Sequence, residues 1–252
     1  MKALITGASS GIGYEIAKIL SNMGYDIFAV ARRESKLNEL KDNLKTNVTP
    51  IVLDLSKQDN CFILYEQLKD ENIDILINNA GFGVFGDFAS SDLDRELEMI
   101  DINVKAVHII TKLFLKDFIK RNSGYIMNVA SSAGFIPGGP LLAGYYSSKA
   151  YVLNLTNAIY EELRHNKSNV HVCSLCPGPV DTEFNKVAGI KTFGVKSLSS
   201  KVVAQYAVKK MFKNKLIIIP GTDIRLLKFG VRFASTKLII KNSYNVQKNK
   251  NN

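Results

Sequence analysis

The sequence predicts an α/β fold: one doubly wound parallel sheet of about seven strands with helices on both faces. Three observations carry that prediction. Short runs that are apolar at nearly every position alternate with longer segments whose apolar residues recur on a helical period. A strand apolar at every position is buried on both faces, as in a parallel sheet covered by helices. Polar or glycine-rich clusters follow the runs one after another, and right-handed crossovers gather all of them at one edge of such a sheet. At 252 residues, 46% hydrophobic and 22% charged, the chain has enough apolar material for one large core, so a single domain is expected.

In chain order, residues 2–6 (KALIT) form a buried strand, and 6–13 (TGASSGIG) a glycine loop. A helix follows through Ile12, Ile16, Ile19, Leu20 and Met23 and stops at Gly24. The second strand is 26–31 (DIFAVA), followed by a helix over 35–44 and a third strand over 49–54 (TPIVLD). A helix over about 59–69 leads to the fourth strand, 73–78 (IDILIN). After the glycine-rich NNAGFGVFGDF come helical segments over 92–102 and 104–120, then the fifth strand, 124–130. A helix carrying Tyr145 leads to the sixth strand, 169–175, and a helix over 199–212 to the seventh, 216–219, which Pro220-Gly221 ends. Residues 1–221 read as a catalytic and dinucleotide-binding unit, and 222–252 as a basic amphipathic C-terminal segment.

The stretch from Ser132 to Lys149 (SAGFIPGGPLLAGYYSSK) can hold three polar groups against one carbonyl. Tyr145 and Lys149, four apart in the first turns of a helix, share a face. An ammonium roughly 5 Å from a phenol, at an effective dielectric near 20, favours the phenolate by roughly 3 kcal/mol, or about two pKa units. The expectation is a Tyr145 lowered from about 10 to about 8, fit for general acid or base work. The same Tyr-x-x-x-Lys pattern at Tyr14/Lys18, Tyr65/Lys69 and Tyr244/Lys248 is expected on solvated helix faces or in the tail.

In the glycine loop, Gly7 allows a sharp exit from the strand, while Gly11 and Gly13 let backbone approach a pyrophosphate at the following helix N-terminus. About twenty residues on, where an acid would hold the ribose of NAD, stand Ala31, Arg32 and Arg33. Guanidinium groups there favour the 2′-phosphate of NADP(H).

With these stretches in hand, the chain resembles the short-chain dehydrogenase/reductase family, a Rossmann-like fold, over about residues 2–220. The resemblance rests on TGASSGIG, Asp54, NNAG (78–81), Asn103 in DINV, Ser132 thirteen before Tyr145, YYSSK (145–149) and PGPVDT (177–182). NNAGFGVFGDF and the basic tail after IIIPG look like the bacterial subgroup called DltE-like. The resemblance implies that Tyr145 is the proton donor or acceptor and that Ser132 orients the carbonyl. It implies that Lys149 bonds the nicotinamide ribose and that Asn103 holds a water in a proton relay. The thirteen-residue spacing selects Ser132 over Ser131, and the four-residue spacing selects Tyr145 over Tyr146, whose replacement by Phe is expected to be mild. The implied cofactor contacts begin with Gly7, Ser9, Ser10, Gly11, Ile12 and Gly13 of the loop. Arg32, Arg33, Asp54 and Leu55 follow, with Asp54 near the adenine. Asn79, Ala80, Gly81, Tyr145 and Lys149 come next, and Pro177, Gly178, Val180 and Thr182 complete the set, the last two near the carboxamide.

Cys61, Cys173 and Cys176 are too few for a disulfide framework and suit a reducing compartment. Cys173-x-x-Cys176 lies in a strand where positions three apart face opposite sides, so core packing is expected and no metal. The strand-like run begins almost at Met1, leaving no room for a signal peptide, and a cytoplasmic protein is expected. From Phe212 onward nine lysines and arginines stand against the single acid Asp223, a net +8 of the chain's +10. No nucleic-acid partner is expected. Residues 224–240 (IRLLKFGVRFASTKLII) read as one amphipathic helix. Its stripe of Ile224, Leu227, Val231, Ala234 and Leu238 packs over the substrate cleft or a neighbouring subunit, or the helix makes peripheral contact with an anionic membrane. Extra apolar residues at Leu226, Phe229 and Phe233 widen that stripe.

The expected function is an NADP(H)-dependent oxidoreductase moving hydride between nicotinamide and a carbonyl or secondary alcohol of a small-molecule substrate, with 3-oxoacyl thioesters, sterols and small ketones as candidates. A homo-oligomer, dimer or tetramer, is the family's expectation. The alternative is a non-catalytic dinucleotide-binding sensor or partner protein on the same fold. A pure binder has no need of the full Asn103, Ser132, Tyr145 and Lys149 set, which favours the enzyme.

Overall fold

The computed structural model describes residues 1–189 and 197–248. Strands β1 (Lys2–Thr6), β2 (Asp26–Ala31), β3 (Val48–Val52), β4 (Ile75–Asn78), β5 (Tyr125–Val129) and β6 (His171–Leu175) alternate with helices α1 (Gly11–Asn22), α2 (Glu34–Asp42), α3 (Gln58–Leu68), α4 (Leu93–Ile100), α5 (Val107–Arg121) and α6 (Ala143–His165). The chain continues through β7 (Val180–Asp181), α7 (Phe184–Ala188), β8 (Leu198–Ser199), α8 (Ser200–Met211), β9 (Ile217–Ile218), α9 (Thr222–Gly230) and α10 (Thr236–Lys248). The main sheet has the order β3-β2-β1-β4-β5-β6-β9, every pairing parallel. Strand order therefore reverses between β1 and β4, the place where an open α/β sheet leaves a crevice at its carboxyl edge.

The alternation of side chains along each strand feeds two cores. Ala3 and Ile5 of β1 pack with Ile16 and Leu20 of α1, Leu37 of α2 and Val203 of α8. Leu4, between them, packs on the other face with Leu64 of α3, Phe114 and Phe118 of α5 and Ile159 of α6. Burying an aliphatic or aromatic side chain of this size contributes about 1.5–3 kcal/mol, which is why the strand runs are apolar throughout. A buried amide ladder then fixes α5 and α6 against the sheet. Asn78 Nδ2 donates to Thr111 Oγ1 and Asn128 Oδ1, both at 2.9 Å, and Asn128 Nδ2 donates to Thr156 Oγ1 at 3.0 Å.

The structure departs from the sequence reading in three places. The helices expected over 92–102 and 104–120 are one continuous rod, joined by a π-helical turn at Asp101–Ala106 that carries Asn103. The two-residue strands β7 and β8, which the apolar runs do not predict, pair outside the main sheet. The tail helix expected over 224–240 is two helices, α9 and α10, broken at 231–235. Gly230 disfavours helix continuation, and Ser235 restarts it, its Oγ accepting from the Leu238 N–H at 3.4 Å.

The tail is packed onto the domain. Ile224 joins a cluster with Val152, Leu153 and Ile219, so the boundary drawn at residue 222 crosses a shared core. No helix among the described residues is long and apolar enough to cross a membrane. The three cysteines are buried, with Cys173 and Cys176 in separate clusters, as strand positions three apart require. Burial pushes the Cys176 thiol up to about 12, and the described residues hold no cluster of His, Cys, Asp and Glu suited to a metal ion.

Candidate active site

A cleft of about 810 Å³ runs along the carboxyl edge of the sheet, from the glycine loop past β4 and β5 to the tail. At one end, Gly7 and Gly11 take φ of +66° and +59°, which a side chain would strain. A Cβ on Gly11 would also stand 3.0 Å from Thr182 Cγ2. The loop is braced from below: Asn79 Nδ2 donates to the Thr6 and Gly7 carbonyls at 3.1 and 3.0 Å, and Thr6 Oγ1 accepts from the Asn79 and Ala80 N–H groups.

This end fits a dinucleotide. The N-cap of α1, Ser10, makes no side-chain cap and the first turn holds no acid, so the helix N-terminus keeps its free N–H groups and positive dipole end for an anion. Gly13 has a different task from the one expected. A Cβ there would lie 2.5 Å from both Asn79 Nδ2 and the Gly7 carbonyl, so Gly13 lets helix and loop close on each other, and it does not line the cleft. Asp54 Oδ1 accepts from the Ser56 N–H and hydroxyl at 3.1 and 2.8 Å, and its neighbours Leu53 and Leu55 line the cleft. Ser9, Ser10, Ile12, Asn79, Ala80, Gly81, Pro177, Gly178, Val180 and Thr182 all line the cleft.

Arg32 and Arg33 stand at the rim, half exposed, each already paired. Arg32 Nη1 meets Glu98 Oε1 at 3.0 Å. Arg33 Nη2 meets Glu183 Oε2 at 2.7 Å and donates to Ser9 Oγ at 3.2 Å, tying the end of β2 to the glycine loop. That pairing holds the Glu183 carboxyl below its ordinary range.

The middle of the cleft holds Ser131, Tyr145 and Lys149. Lys149 is buried, and its Nζ donates to the Val129 carbonyl at 2.8 Å and lies 5.9 Å from the Tyr145 ring centre. An ammonium has three donors, so the other N–H groups remain for a ligand such as a ribose diol. Desolvation brings this amine down to about 8. The same effect reverses the expectation for Tyr145: burial pushes the phenol up to about 12, against a hydrogen bond with Ser131 that pulls it down. The attraction of the ammonium follows from the four-residue spacing, but desolvation of both groups outweighs it in the folded chain.

The serine is corrected too. The hydroxyl that meets Tyr145 belongs to Ser131, while Ser132 is fixed through its backbone, its N–H donating to the Pro177 carbonyl at 2.8 Å. Ser131 caps the short 3-10 turn Ser132–Gly134, accepting from the Ala133 N–H at 3.1 Å. A spacing in residues does not see how the 135–142 loop is folded, so it picked the neighbour.

Asn103 is completely buried. Its Nδ2 donates to the Phe82 carbonyl at 2.8 Å and Ser148 Oγ at 3.0 Å, and its Oδ1 accepts from the Phe82 N–H at 3.1 Å. The side chain therefore clamps the loop after β4 to α6.

Beyond Tyr145 the cleft turns apolar, with Ile136, Leu142, Phe184, Val187, Ile224 and Leu227 on its walls. Tyr146, expected to be a bystander, anchors the tail. Its hydroxyl accepts from Gln247 Nε2 at 2.7 Å and bonds Ser243, both on α10 and one turn apart. Gln247 is buried and lines the cleft. No local motif in the sequence marks Gln247, Ser243, Phe184 or Ile136; only the fold brings them here.

A family profile described as short chain dehydrogenase matches residues 1–191. An uncharacterised oxidoreductase of Staphylococcus saprophyticus is 34% identical over 214 residues, covering 82% of this chain and 88% of the relative. A 3-oxoacyl-(acyl-carrier-protein) reductase of Rickettsia prowazekii is 35% identical over 182 residues, covering 72% of this chain and 73% of its own. Among solved structures, a short-chain dehydrogenase from Sphingobium yanoikuyae in complex with NADPH superposes with a TM-score of 0.84 at 27% identity, over 94% of each chain. The chain belongs to the short-chain dehydrogenase/reductase family, oxidoreductases that bind a nicotinamide dinucleotide and act on alcohol and ketone groups.

Proposed function

We propose that this chain is an NADP(H)-preferring reductase of ketones, or the reverse alcohol dehydrogenase, in which Tyr145 is the proton donor, Ser131 orients the carbonyl and Lys149 supports both. The observation that carries the reading is the meeting of the Ser131 hydroxyl, the Tyr145 phenol and the buried Lys149 ammonium between a dinucleotide-shaped cradle and an apolar chamber.

A nicotinamide dinucleotide, when bound, supplies or accepts the hydride. Everything else falls to the chain. The Ser131 hydroxyl donates to the substrate oxygen and fixes its direction. A phenol held up to about 12 is protonated at neutral pH, the state a donor in ketone reduction requires. As its proton passes to the carbonyl oxygen, negative charge forms on Tyr145 Oη, and the ammonium beside it stabilises that charge in a poorly solvated site. Ser148, which donates to the Tyr145 carbonyl at 2.7 Å, and Asn103 hold this helix turn in place. The water of the proton relay stays assigned to Asn103, as the resemblance implies. Arg32 and Arg33 support a preference for the 2′-phosphate, and the NADPH complex of the Sphingobium structure and a probable NADP-dependent dehydrogenase of Haemophilus influenzae, 34% identical over 194 residues, point the same way.

Parallel substitution tests the assignment. A ketone screen followed by NADPH absorbance finds a substrate; Ser131→Ala then lowers turnover by about 10²-fold or more, and Ser132→Ala leaves it within a few-fold. The reverse ranking would return the role to Ser132.

A further inference from the structure

Helix α9 carries two apolar faces. Toward the domain, Ile224 lies on the backbone of Gly178, so close that a Cβ there would stand 2.7 Å from it, and Leu227 reaches the cleft wall. This much is the stripe expected to pack over the cleft. On the opposite side, Leu226, Phe229 and Phe233 are left 71%, 64% and 76% exposed, with the two phenylalanine rings 5.0 Å apart. Three large side chains bared together over about two turns of chain are unusual for a surface that meets only water.

The charge around this face limits what can cover it. Arg225, Arg232, Lys237 and Lys241 are exposed, and none forms an ion pair among the described residues. Asp223 is the one acid in the segment. A two-fold contact between copies would set these cations against their own kind, since such an interface uses the same patch twice. An anionic surface satisfies both features at once: cations meet headgroups, and the Leu-Phe-Phe ridge enters the acyl boundary. The cleft opens beside this face, because Leu227 and Val246, at its wall, are 42% and 47% exposed.

We propose that the face of Leu226, Phe229 and Phe233, ringed by Arg225 and Arg232, docks on an anionic lipid membrane, and that the apolar chamber beneath takes a bilayer-borne ketone or its alcohol. The substrate half rests on the oxidoreductase reading above; the docking half does not.

The test is sedimentation of the full chain with phosphatidylcholine vesicles, with and without phosphatidylglycerol. The wild-type protein pellets with the anionic vesicles at low salt and stays in solution with the neutral ones. Each cation near the surface is worth about fivefold in partitioning, so Arg225→Glu with Arg232→Glu lowers pelleting by about 25-fold or more. Phe229→Ser with Phe233→Ser weakens it as well. NADPH binding, unchanged in both variants, shows that they are folded. No pelleting of the wild type overturns docking, and so does a salt-resistant dimer that the Phe→Ser pair dissolves. For the substrate half, a long-chain ketone carried in anionic vesicles is reduced faster by wild type than by either variant, while a water-soluble ketone is reduced equally. Equal rates on both overturn that half. No reduction of either ketone, with no oxidation of the matching alcohols by NADP+, refutes the ketone–alcohol reading and leaves docking standing on the sedimentation.

Discussion

Gln247 Nε2 donates a 2.7 Å hydrogen bond to the hydroxyl of Tyr146, a residue 101 positions earlier and next in the chain to Tyr145. Through this bond, and that of Ser243 one turn away, the last helix is fastened to the element that carries the proposed proton donor. The chamber wall is thus closed by the tail, and its fit is coupled to α6.

Gln247→Leu removes one net hydrogen bond, worth about 1 kcal/mol, in a place that Ser243 still holds. The expected result is a KM raised by about fivefold with kcat nearly unchanged, and faster amide exchange in α10 alone. An equal fall in kcat with no change in exchange would place Gln247 in the chemistry. Tyr146→Phe, which loses both bonds, acts in the same direction and more strongly.

Lys149 trades stability for function. Its amine is brought from 10.5 down to about 8, so the fold disfavours the ammonium that the proposed reaction uses. Between about 8 and 10.5 the unfolded chain holds a proton that the folded one has released, so this group makes stability rise with pH across that window. Lys149→Met removes the cost and stabilises the fold by up to about 3 kcal/mol while abolishing turnover. Denaturant titration at neutral pH reads it; a destabilised variant would mean that the ammonium is paid for by contacts beyond the Val129 carbonyl.

The same group sets a pH limb. Ketone reduction needs a protonated Tyr145, secure to about 12, and a charged Lys149, lost through about 8. Activity is therefore level through neutral pH and falls as pH rises past about 8. A rate that holds to pH well above 10 would show that Lys149 keeps its proton in the working complex, through partners the ligand brings.

Glu183 competes for the guanidinium that the 2′-phosphate would use. Glu183→Gln frees Arg33 from its 2.7 Å ion pair, and NADPH binding tightens several-fold with NADH unchanged. Arg33→Ala weakens NADPH by about 1–3 kcal/mol, the scale of a charge-assisted bond, and so does Arg32→Ala. Fluorescence titration of both dinucleotides checks this, and a wild type that prefers NADH would overturn the reading of the rim.

The sheet was legible because a strand buried on both faces has to be apolar throughout, and its carboxyl edge because turns and ligand loops need glycine and polar residues. Tyr145 and Lys149 were legible as a pair four apart on a helix. Ser131 was not, since counting to Tyr145 ignores the path of the 135–142 loop. The Tyr145 pKa went wrong for a related reason: proximity to Lys149 can be read from spacing, but desolvation belongs to the assembled fold. Gly13 sits in a recognisable motif yet serves the scaffold, and nothing local to Gln247 announces that it meets Tyr146. The tail's helical period was visible, and its break at 231–235 was foreshadowed only by Gly230.

Tyr145→Phe bears most directly on the proposed chemistry, because it deletes one oxygen and keeps the ring that packs on Phe184 at 5.2 Å. With a ketone found by screening, single-turnover NADPH oxidation by this variant is expected to be slower by about 10²–10⁴-fold, the range for loss of a general acid, with the Kd for NADPH unchanged. A variant that oxidises NADPH within a few-fold of wild type would contradict the assignment of the proton donor.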